Sequence, residues 1–165
     1  MLREMKVAGL VMDPQTNTPI VVLKDLHSEA SLPIWIGLLE ATSIATELEK
    51  IQFPRPMTHD LMMNCLDHFK IRIERIEVCD LRNNTYYALI YLRENDEIST
   101  LDARPSDAIA IALRANAPIF VNEEVLSKSQ KIEGAGQKVF DKENQDKWAE
   151  ILNNLDQDAF GKYKM

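Results

Sequence analysis

The stretch KIRIERIEVCDLRNNTYYALIYL, residues 70–92, decides the fold because it predicts a long β-hairpin. Its first half alternates apolar and charged residues, which is the period of a half-buried strand. The apolar residues change parity midway, so we expect a β-bulge near Glu74–Arg75. The asparagines at 83–84 are typical turn residues, and residues 85–92 return as the second strand.

Short apolar segments on either side of the hairpin predict further strands and helices. Helical stripes of Leu, Ile and Ala predict the helices, and turn residues separate neighbouring strands. We expect an α/β (α+β) fold with a mixed, mainly antiparallel sheet and three or four packed helices. The predicted strands are 4–13, 19–26, 32–36, 97–103 and 118–121, and the predicted helices are 38–50, 59–69 and 107–116, with one or two helical turns at 122–128.

The length of 165 residues suggests one domain followed by a tail. We expect the domain to span residues 1–130. Residues 131–165 are expected to form a polar loop and then a C-terminal amphipathic helix or tail. Within that helix, at 143–156, Trp148 and Leu155 belong to one apolar face. Such a helix docks on its own domain or on a neighbouring subunit, so a homo-oligomer is one expectation.

The chain is acidic, with a formal net charge of −7 and a pI of about 5.0. Proteins that grip nucleic acid over a broad face usually carry a basic surplus. Contact with a phosphate backbone should therefore be weak or local, or should use metal ions as the positive charge. The apolar runs are too short to span a bilayer, so no membrane partner is expected. Two cysteines without a metal motif, and no secretory signal, favour a reduced, cytoplasmic chain.

Two proline-marked segments, RPMTHDLM (55–62) and DARPSDAIAIALR (102–114), each place ionisable residues at a helix start. In the first, Thr58 is the expected N-cap, and His59 and Asp60 fall in the first turn. A helix N-terminus disfavours a cation, so His59 should be a neutral imidazole that serves as general base or metal ligand. The alternative is that His59 and Asp60 only tie the helix start to a neighbouring loop.

In the second segment, Ser106 is the expected N-cap, and Asp107 is a first-turn carboxylate of the kind that helix starts favour. Arg104, held extended before a proline, could clamp a carboxylate or a phosphate with its planar fork. Pairing inside the protein is the alternative to ligand binding, and it does not exclude function. The candidate internal partners of Arg104 are Glu40, Asp60 and Asp102.

Glu40, near the start of the helix after Gly37, is a third acidic candidate. Together with the two clusters it could form a divalent-cation site, because carboxylate and imidazole ligands suit Mg²⁺ or Mn²⁺. Such a metal would activate water for phosphodiester cleavage. The candidate metal ligands are Glu40, Asp60 and Asp107, with His59 as base or ligand.

Aromatic residues on the predicted strands are expected in the core or on a sheet face. They could stack on nucleobases only if they were exposed without a partner. No serine lies in a GxSxG elbow, and neither cysteine has a histidine close in sequence, so the sequence does not support a nucleophile triad. The aromatic residues concerned are Trp35, Tyr86, Tyr87 and Tyr91.

Four blocks, LPIWIGLLEATSIATELE (32–49), RPMTHDLM, TYYALIYL (85–92) and DARPSDAIAIALRANAPIFV (102–121), resemble the bifunctional nuclease family in order and spacing. The resemblance covers roughly residues 5–130. It implies a compact α/β domain that can self-associate, and a nuclease activity on DNA and RNA. The motif positions that it carries over are Glu40, Arg55, Thr58, His59, Asp60, Asp102, Arg104, Ser106 and Asp107.

Three functions stay open on these observations. The leading hypothesis is a nuclease-like hydrolase of phosphodiesters with metal assistance. The second is a non-enzymatic binding or regulatory domain whose polar clusters lock two helix starts to the sheet, and the third is a small-molecule hydrolase. The leading hypothesis assigns catalysis to Glu40, His59, Asp60 and Asp107, phosphate binding to Arg55 and Arg104, and support or capping to Thr58, Asp102 and Ser106.

Overall fold

The structure, a computed structural model, describes residues 1–133, which form seven strands and four helices. Every strand and helix predicted before residue 122 is present, with ends shifted by a few residues. The strands are β1 (Leu2–Met12), β2 (Pro19–Asp25), β3 (Ser31–Trp35), β4 (Arg72–Arg82), β5 (Thr85–Glu94), β6 (Glu97–Ala103) and β7 (Ile119–Asn122). The helices are α1 (Leu38–Leu48), α2 (Thr58–His68), α3 (Pro105–Ala115) and α4 (Glu123–Glu133).

All seven strands join one sheet in the order β3-β2-β1-β7-β4-β5-β6. The short strand β7 fills the centre, where it pairs antiparallel with β1 and parallel with β4. The remaining neighbours pair antiparallel. The prediction of a mixed, mainly antiparallel sheet with up to four helices is therefore confirmed.

The β4–β5 hairpin carries the predicted bulge. Its register shifts between Ile73 and Arg75, and a second shift lies between Val78 and Asp80. The turn residues Asn83 and Asn84 both have positive φ, 48° and 59°, as a tight two-residue hairpin turn requires. Asparagine tolerates this left-handed conformation better than most residues, which explains its place in the turn.

Helix α3 is the central helix of the domain. It packs on β4 and β5, and it contacts both α1 and α2. Ile109 and Ile111 are fully buried on it, and truncating either to Ala would cost about 2–5 kcal/mol. Helix α2 contacts α3, but none of the α2 residues is fully buried. Polar residues at the start of α3 therefore lie close to both neighbouring helices.

Both predicted N-caps are wrong by one or two residues. The N-cap of α2 is Met57, and Thr58 is the first helical residue, because the Asp60 carboxylate accepts the Met57 N–H at 3.0 Å and organises the helix start from inside. The N-cap of α3 is Arg104, because the proline after it takes the first helical position. Ser106 is instead the second helical residue and is buried.

Helix α4 is longer than the predicted one or two turns and includes residues 131–133, where we expected a loop. Its residues are mostly good helix formers, and Val125, Leu126 and Ser129 are buried at helical spacing. The predicted C-terminal helix at 143–156 lies outside the described residues. Each of the four described helices has 11 residues, which is too short to cross a bilayer.

Candidate functional site

The two proline-marked segments meet in space at the start of α3. The His59 imidazole on α2 lies 2.9 Å from the carboxylate of Asp107 on α3, measured from Nε2 to Oδ1. Its other ring nitrogen, Nδ1, lies 2.6 Å from the hydroxyl oxygen of Ser43 on α1. One imidazole therefore links the three helices through a Ser43–His59–Asp107 chain.

The protonation pattern of this chain follows from the carboxylate. Burial would raise the pKa of Asp107, but hydrogen bonds from Arg104 and His59 outweigh it, so this pKa lies below its usual range. An ionised carboxylate only accepts hydrogen bonds, so His59 Nε2 carries the proton that Asp107 accepts. The lone pair of a neutral His59 is then on Nδ1, where it accepts the Ser43 hydroxyl.

Arg104 stands between two carboxylates. Its Nε and Nη2 donate to the two oxygens of Asp107 at 2.7 and 3.2 Å, and its Nη1 donates to Glu40 Oε1 at 2.7 Å. These hydrogen bonds raise the pKa of the Arg104 guanidinium. Of its three candidate partners, the structure selects Glu40. The Arg104 side chain is still 64% exposed, so one side of the guanidinium faces solvent.

Gly37 leaves room for the Glu40 carboxylate. It is the N-cap of α1, and a Cβ added there would overlap the Glu40 side chain, which folds back over the helix start. The φ of Gly37 is −75°, which any residue adopts, so space and not backbone freedom explains the glycine. This packing holds Glu40 within reach of Arg104.

A second arginine, Arg114 on α3, connects the three helices through hydrogen bonds. Its Nε donates to Asp60 Oδ1 at 2.7 Å, and its Nη atoms donate to the carbonyl oxygens of Ser43 and Ala110. The Arg114 side chain is only 8% exposed. Burial acts to raise the pKa of Asp60, but the hydrogen bonds from Arg114 and from the Met57 N–H hold that pKa below its usual range.

A cleft of about 340 Å³ opens beside these groups. Glu40, Ser43, His59, Arg104 and Asp107 line its polar part. Its apolar side is wider and comes from α1 and from the segment before α2. The other lining residues are Leu39, Thr42, Thr46, Phe53, Met57, Thr58 and Arg114.

The remaining predicted site residues lie at other places. Arg55 is exposed and does not line the cleft, and Asp102 is exposed on β6. Thr58 lines the cleft without capping α2. Asp60 serves the helix start and Arg114, and it is not part of the cleft wall.

The predicted metal ligands do not converge. Glu40 and Asp107 face Arg104 from two sides, while Asp60 pairs with Arg114. Within residues 1–133 no group of three His, Cys, Asp or Glu side chains is arranged to hold a metal ion. The side chains present in this arrangement do not fit a preformed Mg²⁺ or Mn²⁺ site, because each carboxylate already has a guanidinium partner.

Sequence reasoning missed Ser43 and Arg114. Ser43 follows Glu40 by three residues, so both lie on one face of α1. Arg114 follows Asp107 by seven residues, or two helical turns, and it is the only charged residue in the otherwise apolar segment 108–114. Helical spacing from the residues already chosen could have indicated both.

Comparison with protein families agrees with this geometry. A model described as the bifunctional nuclease domain matches residues 21–133, which is more than half of the chain. The chain belongs to the bifunctional nuclease domain family. The match includes every residue of the cleft described above and ends with α4.

Relatives of this bifunctional nuclease domain include bacterial and plant proteins. It is 37% identical over 126 residues to an uncharacterized protein of Mycobacterium tuberculosis, covering 76% of this chain and 75% of that one. It is 27% identical over 116 residues to Bifunctional nuclease 1 of Oryza sativa subsp. japonica, covering 68% and 35%. It is 27% identical over 95 residues to Bifunctional nuclease 2 of Arabidopsis thaliana, covering 56% and 29%. The aligned part thus spans about a third of the plant proteins.

Proposed function

We propose that this bifunctional nuclease domain is a nuclease-like hydrolase that cleaves phosphodiester bonds of DNA or RNA in the cleft beside His59. The observation that carries the proposal is the Ser43–His59–Asp107 chain, whose Asp107 carboxylate also binds the solvent-facing guanidinium of Arg104. Family membership and the plant relatives named as nucleases support the same reaction class.

His59 is the proposed general base. Asp107 orients the ring and accepts the Nε2–H, which leaves Nδ1 to take a proton from an attacking water, directly or through the Ser43 hydroxyl. The water oxygen then bonds to phosphorus as the bond to the leaving oxygen breaks. The proton held on Nδ1 finally returns to the leaving oxygen or to solvent.

Arg104 is the proposed phosphate-binding residue. A guanidinium carries five N–H donors, and three of them bind Asp107 and Glu40. One N–H on each Nη atom remains for the oxygens of a phosphodiester. The two carboxylates fix the orientation of the fork before substrate arrives, so little side-chain entropy is lost on binding.

Mg²⁺ or Mn²⁺ as a cofactor stays a prediction, and no step of the mechanism depends on it. The acidic composition is its main support, since a chain with a net charge of −7 offers a phosphate backbone little positive charge of its own. Local contact with nucleic acid, self-association and a cytoplasmic location are likewise predictions. Sedimentation at several protein concentrations tests the self-association.

The test is a hydrolysis assay of the purified chain on single- and double-stranded DNA and RNA, with and without a chelator. His59→Gln is the active-site variant, and His68→Gln, an exposed histidine at the other end of α2, is the matched control. We expect wild-type and His68→Gln to cleave and His59→Gln to lose activity. Equal activity in all three would mean that a contaminant or another site is responsible. Loss of activity with chelator and its return with Mg²⁺ or Mn²⁺ would establish the metal.

A non-enzymatic binding or regulatory domain is the second candidate. Its support is that Glu40, Asp60 and Asp107 all have guanidinium partners, as in a purely structural network. It predicts no turnover on any substrate together with a lower melting temperature for Arg104→Ala. Turnover that disappears in His59→Gln excludes it.

A further inference from the structure

Trp35 lies on a strand, where we expected it in the core or on a sheet face, but it is exposed and lines a hollow that adjoins the candidate cleft. It ends the edge strand β3, with Ile34 buried before it, and 45% of its surface is exposed. Its indole Nε1 donates to Asp13 Oδ2 at 3.0 Å, which fixes the plane of the ring. Among residues 1–133, no aromatic ring or guanidinium stacks on this indole.

The indole lines a second hollow, of about 270 Å³, which we call the Trp35 hollow. Glu40 and Arg104 line it as well as the cleft beside His59. The Arg104–Glu40 pair is therefore a wall common to both. The other lining residues are Ile34, Ile36, Gly37, Asn84, Thr85, Tyr86, Pro105 and Ser106.

We propose that the Trp35 hollow binds an unstacked nucleobase beside the phosphate at Arg104, so that the domain selects single-stranded nucleic acid. This inference rests on the proposed function, because it takes Arg104 as the phosphate site. In a nucleotide the base lies close to the phosphate. The Trp35 hollow likewise lies next to the proposed phosphate site at Arg104, because Arg104 lines both cavities. The base stacks on the Trp35 indole. Asn84 and Thr85 also line the hollow, and their side chains are of the types that hydrogen-bond to base edges.

The acidic charge of the chain makes stacking the main source of affinity. With a net charge of −7, the chain cannot rely on many phosphate contacts and the counterion release that they cause. Stacking on an aromatic side chain does not depend on net charge and contributes roughly 5- to 150-fold in affinity per base. A base inside a duplex already has neighbours on both faces, so only a single strand or a frayed end can use the indole.

The binding test uses intrinsic fluorescence of the full chain carrying Trp148→Phe, which leaves Trp35 as its only tryptophan. The probes are a single-stranded oligonucleotide, the same strand with abasic sites, and its duplex. We expect the single strand to quench Trp35, and the abasic strand and the duplex to quench it much less. No quenching by the single strand, or equal quenching by all three probes, would overturn the proposal.

The kinetic test compares Trp35→Ala with Trp35→Phe, which keeps an aromatic ring. Tyr87→Ala is the control, since Tyr87 is a partly exposed aromatic on β5 outside both hollows. We expect Trp35→Ala to raise KM for single strands roughly 5- to 150-fold with kcat little changed, and Trp35→Phe to recover part of the loss. Equal KM values in wild type and both Trp35 variants would refute the base site, as would equal loss in Trp35→Ala and Trp35→Phe.

The two proposals fail in different ways. Single-strand-selective quenching without hydrolysis would refute the proposed function and leave the base site standing. The opposite result is equal hydrolysis of single strands and duplexes that the Trp35 variants do not change. It would refute the base site and leave the proposed hydrolase standing.

Discussion

His59 and Asp107, which are 48 residues apart in the chain, are joined by a 2.9 Å hydrogen bond between helices α2 and α3. The bond orients an imidazole whose second nitrogen meets Ser43 on a third helix. Three separate segments thus supply one hydrogen-bonded chain. The following predictions treat it as the centre of the site.

Replacing His59 by Gln should lower kcat for phosphodiester hydrolysis about 10²- to 10⁴-fold, because general-base catalysis contributes that much. The amide can still hydrogen-bond to Asp107 and Ser43, so the fold should persist, as circular dichroism would check. An unchanged kcat in this variant would assign the base to another group.

Replacing Arg104 by Gln should reduce kcat/KM roughly 10- to 100-fold through loss of the phosphate contact. Arg104→Lys should restore little, because an ammonium cannot hold two carboxylates and a phosphate in one plane. Arg55→Gln should change kcat/KM far less, since Arg55 lies outside the cleft. If Arg55→Gln proved as damaging as Arg104→Gln, the phosphate path would have to run over the segment before α2.

Adding a methyl group at Gly37 should disturb the site without straining the backbone. In Gly37→Ala the added Cβ would overlap Glu40 Oε2, so the carboxylate has to move and we expect its hydrogen bond to Arg104 to be lost. We expect kcat/KM to fall roughly 10-fold, the scale of one charge-assisted hydrogen bond. In a Glu40→Ala background, Gly37→Ala should lower kcat/KM little further. If the two losses in kcat/KM were additive, Gly37 would act by a route other than Glu40.

Removing the buried guanidinium of Arg114 should destabilise the domain. Arg114→Ala leaves Asp60 without its partner, and we expect the free energy of unfolding to fall by about 3 kcal/mol, the lower end for a buried pair, because Asp60 is 36% exposed. Urea denaturation measures this loss. Arg82→Ala is the control, since Arg82 is 66% exposed and its variant should unfold as the wild type does.

Acid should destabilise the domain through Asp60 and Asp107. Both have a pKa below the usual value of about 3.9, so the unfolded chain binds more protons than the native one as pH falls towards that value. Their contribution is present above about pH 4 and is lost as pH falls through the lowered native pKa. In Arg104→Gln, Asp107 loses its main donor, so the decline in unfolding free energy between about pH 5 and pH 3 should be shallower. An unchanged slope in urea titrations would show that Arg104 does not set the pKa of Asp107.

Local pattern was enough to predict the elements of this protein. Alternation and the asparagine pair predicted the β4–β5 hairpin and its bulge, because strand period and turn conformation depend on neighbours in sequence. The same logic placed His59, Asp60 and Asp107 in first helical turns. It missed the N-caps by one or two residues, because an acidic residue inside α2 and a proline inside α3 decided where each helix begins.

Only the tertiary structure decided which ionisable groups meet. The sequence offered three candidate carboxylate partners for Arg104. The packing of α1 against α3 selects Glu40, which is 64 residues away in the chain. The same packing gives Asp60 to Arg114 instead of to the cleft, and the edge position of β3 leaves Trp35 in solvent. Periodicity in the sequence indicates which face of a helix or strand a residue occupies. Which side chains pair with one another depends on how the helices and strands cross. That crossing is determined by the packing of the whole core, so no single segment of the sequence predicts it.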